Sequence, residues 1–156
     1  MRLRIIAIGR MRQGPELDLC RDYLDRFSKA GRGLGFGAVD VIELEDKTKS
    51  GAVAEARLIH KALPENGVAV LLDERGKTLT SPAFAQRLAG WRDEGVGDLS
   101  FVIGGADGFT PELRARANSL ISFGSMVWPH MLARVMLSEQ MYRASQILAG
   151  TPYHRA

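Results

Sequence analysis

The hydrophobic pattern of this chain changes period repeatedly, and that alternation narrows the fold more than any other feature. Apolar residues three and four apart mark helices, whereas alternating or unbroken short apolar runs mark strands. Leu3 to Gly9 reads as a strand, and Pro15 to Lys29 as a helix with Leu17, Cys20, Tyr23, Leu24 and Phe27 facing inward. Ala38 to Glu45 is a second strand and Ser50 to Leu63 a second helix. Val68 to Leu72 is unbroken, as expected of a central parallel strand covered on both faces. Ser81-Pro82 opens a helix that runs to about Trp91, with proline in its first turn. Leu99 to Ile103 is another buried strand, a short helix opens at Thr110-Pro111-Glu112, and Leu120 to Phe123 is the fifth strand. A long helix then starts at Pro129 and ends near Gly150. Five strands alternating with five helices predict an α/β fold, a mostly parallel sheet with helices on both faces. No repeat and no long linker interrupts it, so residues 1–156 read as a single domain.

Composition removes several classes of function. No apolar run approaches the roughly 20 residues that span a bilayer, so no membrane role is expected. Met1 to Ile8 has a basic start and a short apolar stretch but no small-residue cleavage site, which favours a first strand over a signal peptide. Cys20 has no partner for a disulfide; it fits a reducing cytoplasm and a role in core packing. Twenty-one basic against eighteen acidic residues leave a charge of +3, compatible with nucleic acid but no evidence for it. No metal site is expected. The glycine-rich stretch Gly31 to Gly37 follows a helix and precedes a strand, the reverse of a dinucleotide fingerprint, and reads as a flexible connection.

Ligands of α/β sheets collect at the carboxyl ends of strands, against helix amino termini. Three loops leave this sheet there: the one after Leu71-Leu72-Asp73, the turn Gly104-Gly105-Ala106-Asp107-Gly108, and the segment Ser122 to His130. Asp73 fits a turn cap as well as a site. The paired glycines fit a tight turn or a close backbone approach to a ligand. The last loop carries neither lysine nor a P-loop glycine pattern, and suits an apolar or aromatic group better than a triphosphate. Met126 and Trp128 fit either core or site, and His130 either a helix-end contact or a site residue. Convergence of three loops strengthens the site reading beyond any one of them. The final helix is apolar over a wide arc, from Met131, Leu132, Val135 and Met136 to Ile147 and Leu148. A helix on a monomer's surface needs only about a 100° stripe, so burial on two sides is expected.

In order and spacing these segments, with Arg134-Val135, Glu139 to Ala144 and Tyr153-His154-Arg155, resemble one family across essentially the whole chain. It is that of the small SPOUT-class methyltransferases, which use S-adenosylmethionine to methylate N3 of a pseudouridine in large-subunit ribosomal RNA. The resemblance implies a carboxyl-terminal trefoil knot around the cofactor, and a homodimer in which the second subunit completes the pocket. Matched position by position, it assigns cofactor binding to Leu72, Gly104, Phe123, Gly124, Ser125, Met126, Val127 and Trp128. Trp128 departs from the family, where a smaller apolar residue is usual, and implies a tighter rim.

The tail Tyr153-His154-Arg155 is too short and polar to pack as an element and by itself reads as a frayed terminus. With the resemblance, it is the catalytic, base-side part of the site: an aromatic, an imidazole and a guanidinium for stacking, proton exchange and charge neutralisation of a flipped base. His154 is then the candidate acceptor of the N3 proton, with Arg143 as a further cation. Without a separate RNA-binding module, recognition is expected to depend on the shape of an assembled ribosomal surface. The competing readings are a SPOUT enzyme for another RNA such as tRNA, a non-catalytic ribosome-binding factor on the same fold, and a flavodoxin-like nucleotide binder. The last is disfavoured by Gly9-Arg10-Met11-Arg12-Gln13, where a hydroxyl-rich phosphate loop would stand.

Overall fold

The strand-type runs pair into one sheet of five strands in the computed structural model, which describes residues 1–155. In chain order the elements are β1 (Arg2–Ile8), α1 (Pro15–Gly31), β2 (Val39–Leu44), α2 (Ala52–Ala62), β3 (Val68–Thr78), α3 (Ser81–Asp93), β4 (Asp98–Ile103), α4 (Pro111–Arg116), β5 (Ser119–Ser122) and α5 (His130–Ala149). The spatial order is β2-β1-β4-β3-β5, and every neighbouring pair is parallel.

Because side chains alternate along a strand, β1 sends Leu3, Ile5 and Ala7 to one face and Ile6 and Ile8 to the other. The first face packs on Phe27 of α1, Phe84 and Leu88 of α3, and Leu137 and Met141 of α5. The second packs on Ala56 and Ile59 of α2 and Leu113 of α4. The helices thus cover both faces. Thr80 and Thr110 start α3 and α4, each hydroxyl accepting a backbone N–H three residues on, at 3.1 and 3.2 Å. Cys20 is buried within α1, as core packing requires.

Three stretches differ from the sequence reading. β3 does not end at Leu72 but runs to Thr78 through an irregularity, so that both Leu72 and Lys77 face Ile121 of β5. Within that detour Gly76 passes so near β5 that a Cβ on it would lie 2.5 Å from the carbonyl carbon of Leu120. Only glycine fits there. Asp73 caps the turn, accepting the N–H of Arg75 at 2.8 Å. The stretch after α1 is a packed connection: a 3-10 turn at Arg32–Leu34, Gly35 left-handed at φ 81°, and Arg92 donating to the Leu34 carbonyl at 2.7 Å. Helix α5 begins one residue late, with Pro129 as its extended cap. Its wide apolar arc is covered by α1 on one side and α3 on the other, while Met131 and Leu132 stay exposed.

Candidate active site

The carboxyl edge of the sheet carries the expected loops, and α5 ties them together. The side chains of α5 at 134, 137, 138, 141, 144 and 145 form one buried stripe, and the guanidinium in it, Arg134, is only 3% exposed. A buried cation needs partners. Arg134 finds them at the ends of two strands: Glu43 of β2 at 2.6 Å and the Gly9 carbonyl after β1 at 3.2 Å. Glu43 also accepts the Met11 N–H at 2.7 Å. Burial works to raise the Glu43 pKa, but the bonds from Arg134 and Met11 outweigh it and hold the carboxylate below its usual range.

One turn earlier on the helix, His130 places Nδ1 3.0 Å from the Gly104 carbonyl and Nε2 3.3 Å from Arg134. A carbonyl only accepts and a guanidinium only donates, so the imidazole is neutral with its proton on Nδ1. Burial pushes its pKa down, and the Arg134 charge adds to that. The question left open by the sequence is answered for the helix end: His130 fastens the turn after β4 to the start of α5.

That turn uses its glycines differently from the expectation. A Cβ on Gly104 would meet the Phe109 ring at 2.9 Å, and one on Gly105 the Glu55 carboxylate at 2.6 Å. The pair therefore makes room for the chain's own side chains. The left-handed position is Gly108, at φ 72°.

The loop after β5 starts pinned, with Ser122 Oγ donating to the Gly124 carbonyl at 3.0 Å and accepting the Gly124 N–H at 3.1 Å. Gly124 has φ 110° and open space where a Cβ would stand. Beyond it the loop is open. Met126 and Val127 are 74% and 87% exposed, and Trp128 is 42% exposed with its indole N–H 3.3 Å from the Phe123 carbonyl. The core alternative for Met126 and Trp128 is thereby excluded. Among the described residues, Ser125, Met126 and Val127 make no backbone–backbone hydrogen bond.

Beside this loop, on the face covered by α1, α3 and α5, lies a cavity of about 470 Å³. Phe123 and Gly124 line it, with Thr80, Phe84, Val135 and Glu139. Leu72, Gly104 and the segment Ser125 to Trp128 do not; Leu72 is half-buried in the ladder between Ile103 and Ile121.

The tail is docked instead of frayed. Gly150 turns the chain at φ 73°. Tyr153 then returns along α5, its hydroxyl donating to Glu139 at 3.0 Å and its ring edge-on to Tyr142 at 4.7 Å. Arg143 lies over that ring at 4.9 Å and pairs with Glu139 at 2.6 Å. Burial, then the bond to Glu139, pushes the Tyr153 phenol up to about 12, so it keeps its proton. His154 Nδ1 is 3.2 Å from Arg143 Nη1. Since Arg143 can only donate, that nitrogen accepts and the proton sits on Nε2. In this arrangement His154 offers a donor, where the sequence reading expected a proton acceptor. Arg155 is exposed. Through Glu139, the tail cluster and the Phe123-Gly124 loop border the same cavity.

The family profile described as predicted SPOUT methyltransferase matches residues 1–154. The chain belongs to the SPOUT methyltransferase family. Its donor is accordingly S-adenosylmethionine, as in that family. Three similar proteins carry the name ribosomal RNA large subunit methyltransferase H. Those of Ruegeria pomeroyi, Paracoccus denitrificans and Dinoroseobacter shibae are 62%, 61% and 60% identical over 155 residues, which is 99% of this chain and of each relative. Among solved structures, the SpoU methyltransferase AviRb of Streptomyces viridochromogenes, in complex with AdoMet, has 10% identity and a TM-score of 0.43, covering 96% of this chain and 59% of that one.

The residues present fit the donor. A cavity of about 470 Å³ is in the range of small-molecule sites, which run from about 300 to 1,000 Å³. Its wall is largely apolar, and the adjacent loop has unpaired backbone groups for an adenine edge. Among the described residues no three His, Cys, Asp or Glu side chains cluster as metal ligands, and no helix is long and apolar enough to cross a membrane.

Sequence reasoning assigned no role to Arg134 or Glu43. A signal for Arg134 was present: a lone arginine on the helical stripe it shares with Leu137, Met141 and Ala144 must be buried and so must be paired. Nothing marked Glu43 as its partner, because that pairing joins positions 91 apart in the chain.

Proposed function

We propose that this protein methylates N3 of a pseudouridine in large-subunit ribosomal RNA, acting on assembled ribosomal particles in the cytoplasm. The observation that carries the reading is the docked tail: Tyr153 and Arg143 meet at Glu139, with His154 held on Arg143, on the border of the cavity that Phe123 and Gly124 line. The names of the relatives, which match over 99% of their length, support ribosomal RNA as substrate.

When bound, S-adenosylmethionine supplies an already activated methyl group, which leaves positioning and electrostatics to the protein. In this reading Leu72, Gly104 and the loop Phe123, Gly124, Ser125, Met126, Val127 and Trp128 hold the donor, the loop folding inward over the cavity. The carboxyl-terminal segment is threaded as a trefoil knot, a reading supported by the close passage of Gly76 against the backbone of β5. Two copies pair through the exposed apolar residues Met126, Val127, Trp128, Met131 and Leu132, completing each other's pocket.

On the base side, Tyr153 offers an aromatic surface and Arg155 an exposed cation for a phosphate. N3 of pseudouridine is an imide nitrogen and must lose its proton to attack. His154, with its proton on Nε2, donates to a flanking carbonyl oxygen of the base. Arg143, made more firmly cationic by its bond to Glu139, stands behind it. Both favour the imide anion, and the N3 proton passes to water.

The test is transfer of labelled methyl from S-adenosylmethionine to ribosomes from cells lacking the protein, with the modified nucleotide mapped by mass spectrometry. Label on N3 of a single large-subunit pseudouridine is expected, with protein-free RNA a poor substrate. Label on tRNA instead would move the reading to the competing enzyme class.

A further inference from the structure

The network around Arg134 lies outside the cavity, yet it touches the turn and the loop assigned to the donor. It joins four strand ends: Gly9 after β1, Glu43 in β2, Gly104 after β4, and His130 at the far end of the loop after β5. The donor loop is thus pinned at both ends, by Ser122 on one side and by His130 on the other. Between these pins Met126 and Val127 stand in solvent without backbone partners. A loop that must close over a ligand loses less entropy if its ends are already fixed.

We propose that His130, Arg134 and Glu43 act as a positioning relay, in which the charge pair Arg134–Glu43 holds His130 as the Nδ1–H tautomer and His130 fixes the Gly104 carbonyl and the base of the Phe123–Trp128 loop for the methyl donor. None of the three lines the cavity, so they act through the loop and are positioning residues. The assignment rests on the reading of that loop as the donor site.

The alternative is a structural tie that only stabilises the fold. Arg134 with a missing partner would then cost stability and nothing else. The two differ in how binding responds when the fold is kept. His130→Asn retains an N–H near the position of Nδ1, whereas His130→Ala retains none. Glu43→Gln keeps shape and the bond to Met11 but removes the charge that orients Arg134.

The experiment is calorimetric titration of the full-length protein with S-adenosylmethionine, with amide hydrogen exchange of residues 123–130 measured on the free protein. The expected result is that His130→Ala and Glu43→Gln each weaken binding at least tenfold and speed exchange in the loop, while His130→Asn binds within about threefold of the parent. Parent-like affinity in His130→Ala, or in Glu43→Gln should His130→Ala not fold, overturns the relay. Equal losses in His130→Asn and His130→Ala overturn it as well. Failure of the parent protein itself to bind the donor would instead reject the donor-site reading, so the two failures are distinguishable.

Discussion

Removing one oxygen from the tail, by Tyr153→Phe, separates a docked active element from an accidental contact. Hydrogen bonds to charged groups contribute about 1.5–3 kcal/mol when sheltered. The Glu139 side chain is 17% exposed and Tyr153 is half-buried, so about 1 kcal/mol is the appropriate figure. The edge contact with Tyr142 adds about 0.5–1.5 kcal/mol and the Arg143 cation over the ring about 0.5–1 kcal/mol. Against this, ordering the backbone at Tyr153 and His154 costs about 1–2 kcal/mol per residue. Docking is therefore nearly balanced, and losing about 1 kcal/mol lowers the ratio of docked to free tail about fivefold. Tyr153→Phe should give faster backbone motion at residues 152–155 by NMR relaxation, and a single-turnover methylation rate that falls with the docked fraction, several-fold. Tyr153→Ala, which also loses both ring contacts, should release the tail altogether and abolish turnover. A pH arm checks the same bond. A pKa raised to about 12 from the ordinary value near 10 means docking is fully present below pH 10 and is lost as pH rises toward 12. One of the three tyrosines should therefore titrate late by ultraviolet absorbance. A Tyr153→Phe protein with an unchanged tail and unchanged rate would refute the argument.

Gly76→Ala should destabilise by about 3–5 kcal/mol, because the new methyl meets backbone and not a movable side chain; thermal unfolding should shift down by about 10 °C, and an unchanged midpoint would mean that Gly76 does not pass β5 as closely as described. Since the pKa of His130 is depressed in the fold, its contribution to stability is present above the ordinary histidine value near 6.5 and is lost as pH falls below it. Denaturant unfolding should show that loss in the parent protein and less of it in His130→Asn. Leu132→Glu places a charge on the exposed apolar surface beside the loop and should yield monomers by sedimentation; a parent protein that is itself monomeric would reject the pairing surface.

What the sequence made legible is what short-range periodicity encodes. The strands and the longer helices were found because each is apolar on the side it buries, α4 from its Thr-Pro-Glu start, and both faces of the sheet were covered as alternation required. The detour of β3 was not legible. Asp73-Glu74-Arg75-Gly76-Lys77-Thr78 is polar and reads as loop, and its strand character comes only from the partner that β5 supplies some 44 residues later. The Gly104-Gly105 turn was found at the right place for an incomplete reason, since a pattern cannot show that Phe109 and Glu55 fold back over the two glycines. The tail failed differently: its residues were singled out, but docking depends on Glu139 and Arg143 standing one turn apart beside it, a contact that no local signal contains.

The same limit explains why the pairing of Arg134 with Glu43 lay hidden while the loop after β5 did not. Residues proposed to hold the donor share one loop and leave a compact signature, here Phe123 to Trp128. A buried cation is instead paid for by whatever its helix happens to face, which is a property of topology. With β2 at the sheet's edge beside β1, and α5 laid across the strand ends, Glu43 is the carboxylate that Arg134 reaches. Had Arg134 been solvated, His130 would have lacked the donor opposite Nε2, and the Gly104 carbonyl alone would have selected the Nδ1–H tautomer. Burial holds both contacts in place, so one charge pair at the sheet's edge reinforces the way a histidine points at the turn beside the loop after β5.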